Sequence, residues 1–236
     1  LVYAAGQGDG KDKGLNHLAH EGMLSKIIGG HWGLAPKLQK LALENKVEAY
    51  NLPQGVMAHL FRDIAAGKPG TITSVGLKTF IDPRIEGGKL NSITTKDIVE
   101  LITLNNKEYL FYKAMPIDIA LLRGTYADEY GNISMEDEAV TLEALSVACA
   151  CKNSGGKVIV QVKKVVKGGS LDPKLVKIPG IYVDTVVVAK DEKNHMQTYG
   201  CQYNSSFTGK TVVPLSDINS LPLNERKIIA RRGAME

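Results

Sequence analysis

The sequence has few cysteines and no long apolar run, and these two absences exclude several classes of protein. Only three cysteines occur, Cys149, Cys151 and Cys201. An odd number without the spacing of a disulfide framework favours a reducing compartment. No apolar run approaches the roughly 18 residues that a membrane-spanning helix needs. No basic segment followed by an apolar stretch is visible, so the sequence predicts no signal peptide and a cytoplasmic location.

Charge of one sign and the common catalytic motifs are also scarce. The 29 basic and 25 acidic residues leave a net charge of +4, which weakly favours an anionic ligand and does not indicate nucleic-acid binding. No G-x-S-x-G nucleophile motif occurs. His17 and His20 lack the H-E-x-x-H pattern and predict a surface pair, with no metal site. Residues 6–10 read G-x-G-x-G, which predicts a flexible turn more readily than a phosphate loop.

Short apolar and longer amphipathic segments alternate over the first 66 residues. Strands and helices are predicted in the order 1–5, 15–26, 26–28, 36–45, 47–51 and 54–66. This β-α-β-α-β-α order predicts an α/β fold with an open, mainly parallel sheet and helices on both faces. The 236 residues suffice for one large domain of this class.

The remainder of the chain is less regular. Residues 67–97 form a stretch rich in glycine and hydroxyl side chains, including Gly76 and Thr79, and a loop of this length is usually functional or disordered. A helix is predicted at about 137–152. Further strands are predicted at 108–112, 117–123, 132–134, 158–166 and 181–189.

The last 45 residues change in character. Residues 191–220 are polar and predict a linker, and 221–236 predict the opening of a helix in a second domain. The α/β domain is therefore predicted to occupy residues 1–190. Strand-like residues at the start and a helical pattern at the end lead us to expect that both termini are truncated.

Three glycine-rich segments follow the predicted strands of the first half: residues 6–14, 29–33 and 51–55. Because ligands of parallel sheets bind at the carboxyl ends of the strands, we expect these segments to share one ligand-binding edge. Glycines there let a ligand approach the backbone, and helix starts expose N–H groups. The only tryptophan, Trp32, lies in the second segment beside His31.

Several segments together resemble the family I CoA-transferases. The residues that carry the resemblance are NLPQGVMAHLFRDIAAG at 51–67, LRGTYADEYGNI at 122–133 and GSLDPKLVKIPGIYVD at 169–184. Residues 2–23 and 27–55 are similar to the single-chain propionate/acetate/acetoacetate branch of that family. The resemblance covers essentially all 236 residues and corresponds to the N-terminal half of such an enzyme.

The resemblance implies an enzyme of two halves that moves CoA from an acyl-CoA to a short-chain carboxylic acid. The family's nucleophile is a glutamate that forms a glutamyl-CoA thioester, and it would lie beyond Glu236, so no catalytic residue is expected in this chain. A first strand-turn unit would precede Leu1. CoA is implied as substrate, with no further cofactor and no metal. The implied partners are the C-terminal half of the same enzyme and further copies in a homo-oligomer.

Eight residues are predicted to contact substrate. They are Gly29, Gly30, His31, Trp32, Gln54, Gly55, Gly76 and Thr79. Attack of a carboxylate on a thioester passes through tetrahedral anions, to which the Gln54 amide and nearby backbone N–H groups could donate. His31 and Trp32 either form walls of an acyl pocket or pack between strand and helix.

Two other functional classes stay open at this point. One is a non-catalytic module that binds a ligand or a partner chain on the same fold. The other is an enzyme similar to sugar-phosphate isomerases, which share the broad fold; Asp9 and Asp12 are the only carboxylates near the glycine-rich segments that could then act as acid or base.

Overall fold

The computed structural model describes all residues from 1 to 236 and contains four α-helices. These are α1 (Pro36–Leu43), α2 (Gln54–Ala65), α3 (Ala144–Asn153) and α4 (Glu225–Gly233). Short 3₁₀ helices occur at Leu15–Leu18, Gly180–Tyr182, Glu192–His195, Ser205–Thr208 and Leu215–Asp217. The strands are β1 (Val2–Tyr3), β2 (Lys26–Gly29), β3 (Glu48–Asn51), β4 (Gly70–Thr73), β5 (Val99–Leu104), β6 (Lys107–Lys113), β7 (Ile119–Arg123), β8 (Tyr126–Asp128), β9 (Ile133–Ser134), β10 (Lys157–Val162), β11 (Lys164–Val166), β12 (Val176–Ile178) and β13 (Thr185–Val188).

Two three-stranded sheets are entirely parallel. In the first parallel sheet, with order β1-β2-β3, Ile28 pairs with Val2 on one side and with Tyr50 on the other. In the second parallel sheet, with order β13-β10-β7, Ile159 lies between Thr185 and Leu121. Helix α1 connects β2 to β3, and α3 lies between β7 and β10, which confirms the predicted α/β class with mainly parallel strands.

Two further sheets contain antiparallel pairs. Strands β4, β6 and β5 form an antiparallel sheet, so part of the irregular stretch at 67–97 is regular after all. Strands β11, β8, β9 and β12 form a mixed sheet. The single strand predicted at 158–166 is divided near Lys163 into β10 and β11, which belong to different sheets.

Two helix predictions were wrong in extent. The helix predicted at 15–26 is a single 3₁₀ turn, because Gly14 and Gly22 adopt positive φ angles of 67° and 81° that break a regular helix on either side. The helix predicted at 137–152 begins only at Ala144, two residues after Leu142, which has a φ of 44°. The side chains of Asp137 and Glu138 make ion pairs in this non-helical stretch.

Helix α2 matches its prediction and positions the candidate site. Its buried side chains recur along one face, at Val56, Met57, Leu60, Phe61 and Ile64. The helix ends where Gly67 adopts a φ of 68°, the left-handed conformation that suits glycine after a helix. Burial of this face fixes the amino end of α2 beside the end of β3.

The core has two parts. The larger cluster lies around α2 and α3, which pack against each other, and includes Tyr112 and Val160 from two different sheets. The smaller cluster lies under α1 and combines Tyr3, Trp32 and Leu38 with neighbouring aliphatic side chains. Cys151 is fully buried in the larger cluster, as expected for a small core residue.

The end of the chain contributes nothing to this core. No residue after Gln197 is buried, and α4 carries its apolar side chains Ile228 and Ile229 in exposed positions. No helix of the structure has the length and apolar character that crossing a membrane requires.

Candidate functional site

The candidate site lies at the carboxyl edge of the first parallel sheet. Here the backbone continues the sheet pattern for one residue beyond each strand: Gly30 N–H donates to the Tyr3 carbonyl at 3.0 Å, and Leu52 N–H donates to the Gly29 carbonyl at 3.0 Å. The turns after β1, β2 and β3 therefore start side by side, as the sequence predicts. The Gly30 N–H is engaged in this pattern and is not a free donor.

Gly29 and Gly30 are required by close packing at this edge. A Cβ atom at Gly30 would overlap the Ala4 carbonyl oxygen and come within 2.9 Å of the Gln54 Cα. A Cβ atom at Gly29 would lie 2.7 Å from the ring of Tyr3. The two glycines therefore let the end of β1, the end of β2 and the start of α2 approach one another.

His31 and Trp32 point to different surroundings. The His31 ring is exposed and lies against Gly6, where an added Cβ atom would overlap Nδ1. Trp32 is only 8% exposed and packs in the smaller core cluster, with its ring centroid 6.4 Å from that of Tyr3. The packing alternative considered for Trp32 is thus observed directly, while contact of either ring with substrate stays a prediction.

Burial of Tyr3 and Trp32 leaves two polar atoms without partners. Neither the Tyr3 hydroxyl nor Trp32 Nε1 has a hydrogen bond within the chain. Burial also raises the pKa of the Tyr3 hydroxyl well above its ordinary value, so this group stays protonated. Both atoms are hydrogen-bond donors, and they lie at the candidate site beneath Gly29.

Gln54 and Gly55 begin α2 and face outwards. Both are exposed, and a Cβ atom at Gly55 would meet nothing within 4 Å. No side chain caps the helix, and the N–H groups of Gln54 and Gly55 have no acceptor within the chain. The first turn of a 12-residue helix therefore presents free N–H donors and a partial positive charge at this edge.

Gly76 and Thr79 lie in a separate turn. The Thr79 hydroxyl donates to the Gly76 carbonyl at 2.8 Å, so the two residues are joined to each other. Gly76 adopts a φ of 100° and packs against the hydroxyl of Tyr112. This turn reaches the first parallel sheet indirectly, through Gly88, whose carbonyl accepts from Asn51 N–H at 2.8 Å.

An ion pair between buried Asp82 and exposed Arg84 fixes the same turn. Asp82 is almost completely buried and accepts from Arg84 Nε at 2.9 Å and from Lys78 N–H at 3.0 Å. The hydrogen bonds from the Arg84 side chain and from Lys78 N–H hold the pKa of the Asp82 carboxyl far below its usual range. Asp82, which precedes Pro83, therefore forms the turn with its side chain.

Hydrogen bonds to the Asp9 side chain shape the loop at residues 6–14. The Asp9 carboxylate accepts from the N–H groups of Lys11, Asp12 and Lys13 at 2.8–2.9 Å. These hydrogen bonds, led by that of Lys13, keep the Asp9 pKa below its ordinary value. Asp12 is exposed and pairs with Lys37 at 2.8 Å. Neither carboxylate is placed as a free acid or base, which weakens the isomerase alternative.

A cluster that the sequence patterns did not predict lies at the carboxyl edge of the second parallel sheet. Arg123 ends β7, and its Nε lies 2.9 Å from Glu138 Oε2 in an ion-pair contact whose angle is unsuited to a hydrogen bond. His195 Nε2 lies 3.3 Å from Glu138 Oε1. The rule that favours strand ends in parallel sheets applies equally to β7 and would have pointed to Arg123.

The Glu138 carboxylate in this cluster is ionised despite its burial. Burial raises its pKa, but the hydrogen bond from His195 and the charge of Arg123 outweigh burial, and the resulting pKa is below the ordinary value of 4.5. The carboxylate is therefore charged and paired at neutral pH.

The sequence model of the family described as Coenzyme A transferase matches residues 3–189, and the chain belongs to that family. The resemblance noted from the sequence is thereby confirmed.

Individual relatives match along the whole chain. A caffeate CoA-transferase from Acetobacterium woodii is 51% identical over 236 residues, covering 100% of this chain and 45% of that protein. The crystal structure of the acyl-CoA transferase YdiF apoenzyme from Escherichia coli O157:H7 superposes with a TM-score of 0.91 at 44% identity, over 100% of this chain and 44% of that one. Its thioester complex with CoA superposes with a TM-score of 0.88 at 45% identity, over 98% of this chain and 46% of that one. The chain thus spans less than half the length of these relatives.

Proposed function

We propose that the chain is the N-terminal part of an acyl-CoA:carboxylate CoA-transferase. The observation that carries this proposal is the match over the whole chain to CoA-transferases, at 51% identity in sequence and a TM-score of 0.91 in structure. The names of two relatives specify caffeate and acetate. For this chain we infer the shared chemistry, transfer of CoA from an acyl-CoA to a short-chain carboxylic acid such as acetate, propionate or acetoacetate.

The proposed reaction proceeds through covalent intermediates on a glutamate. A glutamate carboxylate attacks the thioester carbonyl. The CoA thiolate departs, and an acyl-glutamyl anhydride is formed. The thiolate then attacks the glutamyl carbonyl, which forms glutamyl-CoA and releases the first carboxylic acid as its anion. The incoming carboxylate then attacks glutamyl-CoA, and the same steps run in the opposite direction. The products are the new acyl-CoA and the free glutamate. We place this glutamate outside the 236 residues, so the chain contributes binding and electrostatic stabilisation.

The start of α2 suits the stabilising role. Each attack generates a tetrahedral anion, which fixed donors stabilise without reorganisation. The free N–H groups of Gln54 and Gly55 and the exposed Gln54 amide are such donors at the positive end of a helix. His31 and Trp32 would border the acyl group, with Gly29 and Gly30 beneath them. Gly76 and Thr79 would contact substrate from the neighbouring turn.

The chain also presents surfaces that suit the remainder of an enzyme. Strands β1 and β7 are each the edge of a parallel sheet, and Ile119 and Leu121 of β7 are exposed. Parallel sheets are normally covered on both faces. We infer that the remainder of the longer enzyme, including its C-terminal half, covers these surfaces. In this division, residues 1–190 are the α/β domain, 191–220 connect it, and α4 opens the second half.

Assembly and location follow the same proposal. We infer a homo-oligomer in the cytoplasm that uses CoA as substrate and needs no cofactor. The three cysteines are free, as they would be in a reducing compartment.

A transferase assay tests the proposal. Acetyl-CoA and propionate are incubated with the protein that carries this chain together with the rest of its length, and propionyl-CoA is followed. We expect turnover with the long protein and none with the 236 residues alone, because the nucleophile lies elsewhere. Turnover by the 236 residues at an ordinary enzymatic rate would overturn the placement of the glutamate.

A pair of variants tests the role of α2. We expect Gln54→Ala to lower kcat of the long protein by up to about 10²-fold, the effect of losing one donor to a tetrahedral anion. Gln39→Ala is the matched control, because Gln39 is an exposed glutamine on α1. An equal kcat for both variants would remove Gln54 from the site.

A further inference from the structure

Residues 191–211, called the strap here, cross from the second parallel sheet to the loop at 6–14. The strap begins with the 3₁₀ helix Glu192–His195 and contains the 3₁₀ helix Ser205–Thr208. Within it only His195 and Gln197 are buried, and both are polar. A buried polar side chain is expected to have a specific partner, so these two residues show where the strap is attached.

The first attachment is a chain of directed hydrogen bonds. The side-chain NH₂ of Gln161 lies 3.0 Å from the Asn194 carbonyl and 3.0 Å from His195 Nδ1. Both of its hydrogens are thereby used, which makes Nδ1 the acceptor and places the imidazole proton on Nε2. Nε2–H then donates to Glu138, which also pairs with Arg123. Both ring nitrogens of His195 are thereby paired, one with β10 and the other with the segment before α3.

The second attachment lies next along the strap. Gln197 donates from Nε2 to the Asp137 carbonyl at 2.8 Å and accepts from Asn204 N–H at 2.8 Å. The Asp137 carboxylate pairs with Lys163 at 3.0 Å and with Lys210 at 2.6 Å. The strap is thus held by β10 at His195 and by the segment before α3 at Gln197 and Lys210. Between these attachments, Thr198 pairs with Cys201 and closes a tight turn.

Tyr199, at the tip of this turn, contacts the loop that follows β1 of the first parallel sheet. Its hydroxyl occupies the space beside Gly14, where an added Cβ atom would overlap both the hydroxyl and the Gln7 carbonyl oxygen. Gly14 has a φ of 67°, so the loop depends on glycine here for its backbone as well. The loop at 6–14 therefore has the His31 ring against Gly6 and Tyr199 against Gly14.

We propose that His195, Glu138 and Arg123 are positioning residues that place the strap so that Tyr199 fixes the loop at 6–14 as one side of the substrate site. This inference rests on the proposed function for the meaning of that site. The polar groups of this network are directed at one another, with only Arg123 Nε lacking a hydrogen bond, so the network acts as a support. Tyr199 transmits its position to the loop that follows β1, in the sheet whose edge forms the candidate site.

Hydrogen exchange on the 236-residue chain tests the placement without any substrate. We expect His195→Leu to speed exchange about ten-fold in residues 192–203 and in residues 7–15, because Glu138 and Gln161 lose a partner and the strap opens locally. Residues 54–65 of α2 should exchange as before. His195→Gln, which supplies one acceptor and one donor, should restore most of the protection in both regions.

A matched pair separates the tyrosine contact from general loosening. Tyr199 and Tyr203 are 47% and 40% exposed, and both belong to the strap, but Tyr203 lies under Lys163 and Lys210. We expect Tyr199→Leu to speed exchange of residues 7–15 several-fold and Tyr203→Leu to leave these residues unchanged. Equal effects of the two variants, or loosening of the strap by His195→Leu with residues 7–15 unaffected, would overturn the proposal.

Steady-state kinetics of the long protein provide the functional readout. Tyr199→Leu should raise KM for the acid by about ten-fold with a smaller change in kcat, because the site loses a wall rather than a reacting group. A fall in kcat at constant KM would contradict the positioning role. Lack of all transferase activity in the wild type would instead refute the proposed function, while the exchange results would still decide whether the strap positions the loop.

Discussion

The carboxyl edges of the two parallel sheets are formed by different chemical groups. At the first sheet the edge consists of glycine backbone and an uncapped helix start, with Gly30 pressed between Ala4 and Gln54. At the second sheet the edge consists of side chains, with Arg123 and Glu138 bonded to each other. The first edge leaves its donors directed outwards and is suited to binding, while the second uses its polar groups internally and is suited to support.

This difference implies different sensitivities. An edge made of close backbone contacts tolerates loss of charge but not added volume. An edge made of buried polar partners tolerates little loss of any partner and responds to acid. The following predictions separate the two edges, beginning with the largest expected effect.

Trp32→Ala should lower the free energy of unfolding of the chain by about 3–5 kcal/mol, because the ring fills the smaller core cluster. Chemical denaturation of the 236-residue chain measures this change, and Trp32→Phe should cost less. In the long protein the same variant tests the alternative that Trp32 limits the acyl pocket. A pocket wall predicts a several-fold gain in kcat/KM for longer acids relative to acetate. An unchanged ratio would leave Trp32 as a core residue alone.

Gly30→Ala should destabilise the chain by about 1–3 kcal/mol, because the new methyl group overlaps backbone atoms that cannot move independently. Gly55→Ala is the matched control at the same edge. The added Cβ atom would lie in open space on a helix. We therefore expect the free energy of unfolding to rise by about 0.4–1 kcal/mol. The denaturation midpoints of the two variants, compared with that of the wild type, measure both changes. An unchanged midpoint for Gly30→Ala would mean that the first edge is not closely packed.

Glu138→Gln should cost about 1–3 kcal/mol at pH 7, since it weakens a buried partner of His195 and Arg123. The difference in the free energy of unfolding between wild type and variant should disappear at low pH. Because the folded-state pKa of Glu138 lies below 4.5, its ionised form stabilises the fold fully above that pH. The contribution is lost as the pH falls through the lowered pKa. Denaturation of wild type and variant from pH 7 to pH 3 measures the difference, and a pH-independent gap would exclude this origin.

Asp12→Asn repeats the same chemical change, carboxylate to amide, at the first edge. Asp12 has a side chain that is 73% exposed and pairs with Lys37. We expect a change below about 1 kcal/mol, reduced further by salt, as for other exposed ion pairs. If Asp12→Asn cost as much as Glu138→Gln in the same denaturation experiment, the contrast between the two edges would be wrong.

Local patterns predicted the part of the fold that carries the candidate site. The strands β1 to β3 and the helices α1 and α2 follow from runs of apolar residues, from Pro36 in a first helical turn and from Gly67 after a helix end. The helix expected at 15–26 failed because nothing in its apolar spacing shows that Gly14 and Gly22 take positive φ angles.

The supporting network could not be predicted in the same way. Arg123, Glu138 and His195 belong to three separate segments of the sequence, and only tertiary packing brings them together. The glycine edge was accessible because adjacent strands of a parallel sheet end together. That Trp32 lies mostly in the core, and that the Gly30 N–H is already bonded, depends on three-dimensional packing that composition does not reveal.

The position of the single indole has a spectroscopic consequence. The sequence contains one tryptophan and nine tyrosines, so all tryptophan emission originates at the edge of the first parallel sheet. Trp32 is buried and its Nε1 has no hydrogen-bond partner, surroundings in which an indole emits at short wavelength. Tyr3, with its ring 6.4 Å away, is close enough to pass excitation energy to it. The protein therefore contains a built-in fluorophore, and its emission colour and lifetime report changes in packing at this edge without any attached dye.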